Sequence, residues 1–140
     1  MIAQDNSLKQ IMVVQSDAGT LRLLSLELER KGFTVLKAKN ANGALDMLES
    51  TTPDLFILDT MMADMTGTEF CKTLRANSQT AQTPVLILSD YRDADSLEES
   101  MRAGANGHIT KPILPHYLVT KVHALLSLDE TKWLSNTESA

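Results

Sequence analysis

Three side chains stand where they could act on one substrate. Asp59 follows the run Leu55-Phe56-Ile57-Leu58, Ser89 follows Val85-Leu86-Ile87-Leu88, and Lys111 follows Ile109 and Thr110. Unbroken apolar runs of this length suit strands buried on both faces. In an open α/β sheet, the residues just beyond the carboxyl ends of such strands line the site. An aspartate, a hydroxyl and an ammonium converging there could accept a phosphoryl group. The carboxylate would attack phosphorus, and the serine hydroxyl and the lysine would hold the phosphoryl oxygens. Other chemistries lack their residues: no His/Cys/Glu spacing fits zinc, no Gly-rich loop fits a nucleotide, and the single Cys71 excludes an internal disulfide.

The elements that must position these groups are legible in the patterning. Ile11 to Val14 is a compact apolar run, and Val35, Leu36 and Ala38 form a weaker one. A fifth short strand is expected near Gly107 to Thr110. The stretches between have helical spacing: Leu21, Leu24 and Leu28 with Gly32 as a stop, and Ala44, Leu45 and Leu48 after Asn42, with Pro53 beyond. Phe70, Cys71 and Leu74 follow Gly67. Ala94, Leu97 and Met101 follow Asp93 as a candidate N-cap, with Gly104 ending that helix. Leu118, Val122 and Leu125 form the last stripe, with Pro115 suited to its first turn. A strand-helix unit repeated in this way predicts a parallel sheet with helices on both faces, and right-handed crossovers limit its topology.

The chain has 140 residues, 43% of them hydrophobic and 22% charged, with a formal net charge of −5. This fits one soluble domain. The expected division is an N-terminal extension over 1–8, a folded domain over 9–128 and a polar tail over 129–140. The tail is expected to fray, with Trp133 and Leu134 as its only large apolar groups, available to dock on the domain or on a partner. No Lys/Arg run provides a nucleic-acid footprint. No apolar run approaches the ~20 residues that span a bilayer. The polar residues after Met1 do not read as a signal peptide, so the expected location is cytoplasmic.

Four segments carry a resemblance to the receiver domains of two-component response regulators, the CheY-like family. They are Ile-Met-Val-Val at 11–14, Asp-Leu-Phe-Ile-Leu-Asp-Thr-Met-Met-Ala-Asp-Met-Thr-Gly at 54–67, Pro-Val-Leu-Ile-Leu-Ser at 84–89 and Gly-Ala-Asn-Gly-His-Ile-Thr-Lys-Pro at 104–112. The resemblance implies a doubly wound, flavodoxin-like (βα)5 fold with a five-stranded parallel sheet in the order 2-1-3-4-5. It implies that Asp59 is the phospho-acceptor and that Lys111 and Ser89 bind the phosphate. Ser89 and His108 would form the switch, and the Lys111–Pro112 bond would be cis. It also implies Mg²⁺, held by the Asp59 carboxylate and the Met61 backbone carbonyl. The protein would be a signalling module and not an enzyme. Its expected partners are a histidine kinase or phosphotransfer protein, and an output protein or an effector domain of its own; a homodimer is compatible with this reading.

The departures from the family pattern concern the metal. The family usually places two acidic residues directly after the first strand, where this chain has Gln15 and Ser16. A net loss of ~3 kcal/mol from the missing carboxylates weakens metal binding about a hundredfold or more, so Mg²⁺ is expected to bind weakly or not at all. Asp17 is the nearest replacement ligand, roughly 3 Å further along an extended chain. The competing reading, and the preferred one, is that Asp17 caps the following helix. Asp90 stands where a small residue is common and is expected to crowd an incoming phosphoryl group. Ala63 stands where proline is frequent and is expected to loosen the loop after Asp59.

Remaining residues of note receive structural roles. His108 is expected to be half-buried in a packing or interface role, and His116 and His123 to face solvent or a partner. Met12, Met47, Met61, Met62, Met65 and Met101 are expected in core or loop packing, and Glu98, Glu99 and Arg102 on a solvated helix face. Two functions follow: a phosphorylation-driven receiver, supported by Asp59, Ser89 and Lys111, or a phosphorylation-independent interaction module, supported by Gln15, Ser16 and Asp90.

Overall fold

The computed structural model describes residues 9–90 and 94–138, with side chains described through residue 127. Five strands alternate with five helices: β1 (Gln10–Val14), α1 (Ala18–Arg30), β2 (Thr34–Ala38), α2 (Ala41–Met47), β3 (Leu55–Asp59), α3 (Gly67–Ala76), β4 (Val85–Ser89), α4 (Ala94–Arg102), β5 (Gly107–Thr110) and α5 (Pro115–Glu138). The strands form one parallel sheet in the order β2-β1-β3-β4-β5. The expected flavodoxin-like architecture, strand order and fifth strand are therefore found.

Side-chain alternation explains the unbroken apolar runs. Ile11, Val13, Leu55, Ile57, Leu86, Leu88 and Ile109 face one layer, packed on α1 and α5. Met12, Val14, Phe56, Leu58, Val85 and Ile87 face the other, packed against Ala41, Ala44, Phe70, Cys71 and Leu74 of α2 and α3. With both faces covered, the inner strands β1, β3 and β4 stay apolar over Ile11 to Val14, Leu55 to Leu58 and Val85 to Leu88, while the edge strands β2 and β5 admit Thr34, Lys37 and His108. Phe56 and Phe70 meet edge to face with ring centroids 6.1 Å apart, an arrangement the ring quadrupoles favour.

Cys71 lies in this second layer and is fully buried. Burial pushes its thiol up to about 11, because the thiolate is poorly solvated there. A thiol-directed reagent at neutral pH is expected to leave Cys71 unmodified in the folded protein and to label it in denaturant, read by intact mass.

The helix ends follow local chemistry. Thr66 and Glu69 form a reciprocal capping box at α3, with Thr66 Oγ1 accepting from Glu69 N at 3.1 Å and Glu69 Oε1 accepting from Thr66 N at 3.0 Å. Gly32 and Gly104 both have positive φ, 96° and 122°, after α1 and α4. The expected cap Asp93 lies outside the described residues. Backbone helix in α5 runs on to Glu138, past the expected boundary near Leu128. The side chains of Trp133 and Leu134 lie outside the described residues.

Arg75 of α3 holds together the loops beside β4 and β5. Its guanidinium donates to the carbonyls of Thr80 at 2.9 Å, Thr83 at 2.8 Å and Gly104 at 2.7 and 3.2 Å, and to Asn106 Oδ1 at 2.9 Å. Asn106 Oδ1 also accepts from the Val85 N–H at 2.8 Å. One planar fork thus satisfies carbonyls that no helix or strand ladder reaches. Partial burial lowers the Arg75 pKa from its ordinary value, with the group still protonated at any physiological pH.

Candidate functional site: a buried carboxylate at the sheet's carboxyl edge

Asp59 is the last residue of β3 and is only 6% exposed. Backbone bonds at the strand ends bring its neighbours close. Thr60 N donates to Leu88 O at 3.1 Å and Lys111 N donates to Ser89 O at 2.7 Å, which sets the ends of β3, β4 and β5 side by side. Gly67, at the start of α3, lies against the same backbone. A Cβ there would stand 3.0 Å from Asp59 O and 3.2 Å from Thr60 Cα, so a larger residue would have to push the helix and this backbone slightly apart.

Two donors converge on one oxygen of Asp59. Lys111 Nζ lies 3.3 Å from Oδ2, and Gln15 Nε2 donates to the same Oδ2 at 2.9 Å. The Lys111 side chain is 37% exposed, so it reaches from solvent onto a buried partner. The Lys111–Pro112 bond is cis. Ser89 is 1% exposed, and its hydroxyl has no hydrogen-bond partner among the described residues. Asp59, Ser89 and Lys111 are thus gathered at adjacent strand ends, as their positions after the apolar runs suggest.

Gln15 itself is 3% exposed, and its Oε1 accepts from the Asp17 N–H at 3.2 Å. A backbone N–H can only donate, so the amide oxygen must face it and the NH₂ must face Asp59. The sequence marks Gln15 only as a lost acid; the packing makes it a donor to the carboxylate. Ser16 is exposed.

Asp17 is the N-cap of α1: its Oδ2 accepts from Thr20 N at 2.9 Å and Thr20 Oγ1 at 2.6 Å. The Thr20 hydroxyl first, and then its backbone N–H, hold the Asp17 carboxyl below the ordinary carboxylate range. The preferred capping reading of Asp17 is what the structure shows.

The donor set does not suit a divalent cation. Magnesium takes oxygen ligands and is held through carboxylates. Here an ammonium and an amide NH₂ point at Asp59, and the Asp17 oxygen is engaged by Thr20. Among the described residues no three His, Cys, Asp or Glu side chains converge on one point. Met61, whose carbonyl the resemblance assigns to the metal, is 54% exposed in the loop after β3, with its backbone bridged to Thr66. Its side chain is therefore not in the packing expected of it.

That loop is not loose despite Ala63. Asp64 reaches across to the start of α2, where Oδ1 accepts from Ala41 N and Oδ2 from Asn42 N, each at 2.9 Å. The Asn42 N–H first, then that of Ala41, lower the Asp64 pKa. No local signal in the sequence marks this tie, because its partners are 22 and 23 residues away. A depressed folded-state pKa contributes stability above the ordinary carboxylate pKa, and the contribution is lost as pH falls through the lowered value. Asp64→Asn is expected to lower Tm slightly at pH 7 and to converge with the wild type at acid pH, read by calorimetry across pH.

Two other expectations change, those for His108 and His123. His108 is exposed on β5, because Gly107 and Ile109 take the inward positions of that strand. His123 is half-buried and packs on Phe33 with ring centroids 5.4 Å apart, while His116 faces solvent. Asp90, one step beyond Ser89, is half-buried. Glu98, Glu99 and Arg102 are exposed as expected, with an ion pair between Arg102 and Glu98.

Next to Lys111 lies an apolar groove of about 320 Å³ between α1 and the start of α5. Lys111 is on its rim, and Leu23, Leu24, Ile113 and Leu118 are in its walls. Leu23 is 70% exposed and Leu114, in the adjoining loop, 61%. No helix among the described residues is long and apolar enough to cross a membrane.

Comparisons agree with this geometry. The response regulator receiver domain model matches residues 11–123. The chain is 30% identical over 118 residues to the phosphate regulon transcriptional regulatory protein PhoB of Escherichia coli K12, covering 84% of this chain and 52% of that one. It is 34% identical over 122 residues to the alkaline phosphatase synthesis transcriptional regulatory protein PhoP of Bacillus subtilis, covering 87% and 50%. The chain therefore spans about half the length of these curated relatives. Among solved structures, a CheY-like receiver domain protein of Methanospirillum hungatei superposes with TM-score 0.83 at 28% identity, covering 90% of this chain and 99% of that one. The chemotaxis response regulator CheY4 of Vibrio cholerae superposes with TM-score 0.79 at 28% identity, covering 84% and 98%. Fold, strand-end constellation and family match agree, and the chain belongs to the response regulator receiver domain family of two-component signalling.

Proposed function

We propose that Asp59 accepts a phosphoryl group, that Ser89 and Lys111 hold the transferred group, and that its donor is a histidine kinase or phosphotransfer protein. The observation that carries this is the buried Ser89 hydroxyl, which has no hydrogen-bond partner among the described residues. Leaving such a group unsatisfied costs ~1–3 kcal/mol, which a phosphoryl oxygen would recover. Lys111 would neutralise the added charge, and burial of Asp59 would strengthen both contacts. The interaction-only alternative is not favoured, since acceptor, hydroxyl and ammonium are all present and adjacent. The apolar groove whose rim carries Lys111 suits a protein donor that lays a helix beside α1. Phosphorylation would draw Ser89 toward the phosphoryl group and bias the exposed His108 between two positions, altering the β5 face that an output domain or protein partner reads.

The test is to incubate the protein with acetyl phosphate and map the label. One phosphoryl group is expected on the peptide containing Asp59, with hydroxylamine removing it as an acyl phosphate. A folded protein that takes no label overturns the proposal.

A further inference from the structure

We propose that Gln15 stands in for the metal, so that phosphoryl transfer to Asp59 needs no divalent cation. This rests on the reading of Asp59 as acceptor. The Gln15 amide is buried and its orientation is set by the Asp17 N–H, so its NH₂ points at Asp59 Oδ2. Lys111 approaches the same oxygen. Asp59 Oδ1 has no hydrogen bond among the described residues, so it is the oxygen left to attack. In the step, an Oδ1 lone pair forms the new bond to phosphorus. The bond from phosphorus to the donor's histidine nitrogen, or to an acyl oxygen, breaks, and its electron pair leaves with the donor.

A metal in such a site offsets repulsion between nucleophile and phosphoryl oxygens and cancels the charge of neighbouring acids. This chain removes the second need. Gln15 and Ser16 add no negative charge where two carboxylates would add two, and Asp59 is already paired with Lys111. The first need falls to Lys111, the Gln15 N–H and the Ser89 O–H, three donors around the position the phosphoryl oxygens would take. Gln15 is thus a positioning residue: it holds Oδ2 and leaves Oδ1 to react.

Two measurements on the full chain test this. In the first, MgCl₂ and MnCl₂ are titrated calorimetrically into the wild type and a Gln15→Glu, Ser16→Asp variant. The wild type is expected to show no saturable binding at millimolar metal, and the variant to bind about a hundredfold tighter or better. In the second, acetyl phosphate labelling of the wild type is followed by mass in EDTA and in Mg²⁺, and equal labelling is expected. Saturable millimolar binding by the wild type, or labelling that EDTA abolishes, overturns the inference while leaving Asp59 as acceptor. No labelling in either buffer overturns the acceptor reading and this inference with it. The wild-type measurements decide the matter even if the variant fails to fold.

Discussion

An Asp59→Asn variant is expected to take no detectable label from acetyl phosphate while remaining folded. The carboxamide has nearly the shape of the carboxylate, so packing at the end of β3 is retained. Its oxygen can still accept from Gln15 Nε2 or Lys111 Nζ, the two donors now on Oδ2. What is lost is the anionic nucleophile, and loss of a nucleophile removes nearly all of the rate it supports. Stability should move the other way. Asp59 is a buried charge whose partner Lys111 is 37% exposed and can be solvated once released. Replacing a buried ion-pair member by a neutral isostere with its hydrogen bonds intact is expected to leave Tm level or raised. Mass spectrometry reads the first effect and calorimetry the second. A folded variant that still labels at the wild-type rate would move the acceptor elsewhere.

Gly104→Ala is the substitution expected to destabilise most, for two reasons that act together. The residue has φ +122°, where an L side chain is strained, at about 1–3 kcal/mol. A Cβ would also stand 2.8 Å from Arg75 Nε and 2.9 Å from Arg75 Cγ. Arg75 cannot move freely, because its guanidinium is bonded to three carbonyls and an amide oxygen. Displacing it adds roughly 1–3 kcal/mol of overpacking. The sum, about 2–6 kcal/mol, is a large part of the ~5–15 kcal/mol of a typical domain and corresponds to a Tm drop of roughly 6 °C or more. Arg75→Ala alone also destabilises, by stranding those carbonyls. In the double variant the clash disappears while the φ strain stays, so the two costs should not add. Urea unfolding of all four proteins gives the coupling; strict additivity would mean that the two residues do not meet.

The sequence by itself determined the layers, the strand order through its likeness to one family, and the places of Asp59, Ser89 and Lys111. It could do so because strand and helix periodicity report burial between near neighbours, and because sites in parallel sheets fall beyond strand ends. The capping role of Asp17 was legible for the same reason: its partner Thr20 is three residues away. Tertiary structure alone decided the rest. The Gln15 amide meets Asp59 across 44 residues, Asp64 meets α2 across 22 and 23, and Arg75 meets Gly104 across 29. His108 turned outward because of its register on β5, and His123 found Phe33 across the sheet's flank. Such contacts depend on strand register and loop path, which no local pattern encodes. From the sequence, a glutamine in place of an acid reads as a loss. In the fold, the Asp17 N–H that orients it turns the same residue into the donor that holds Asp59.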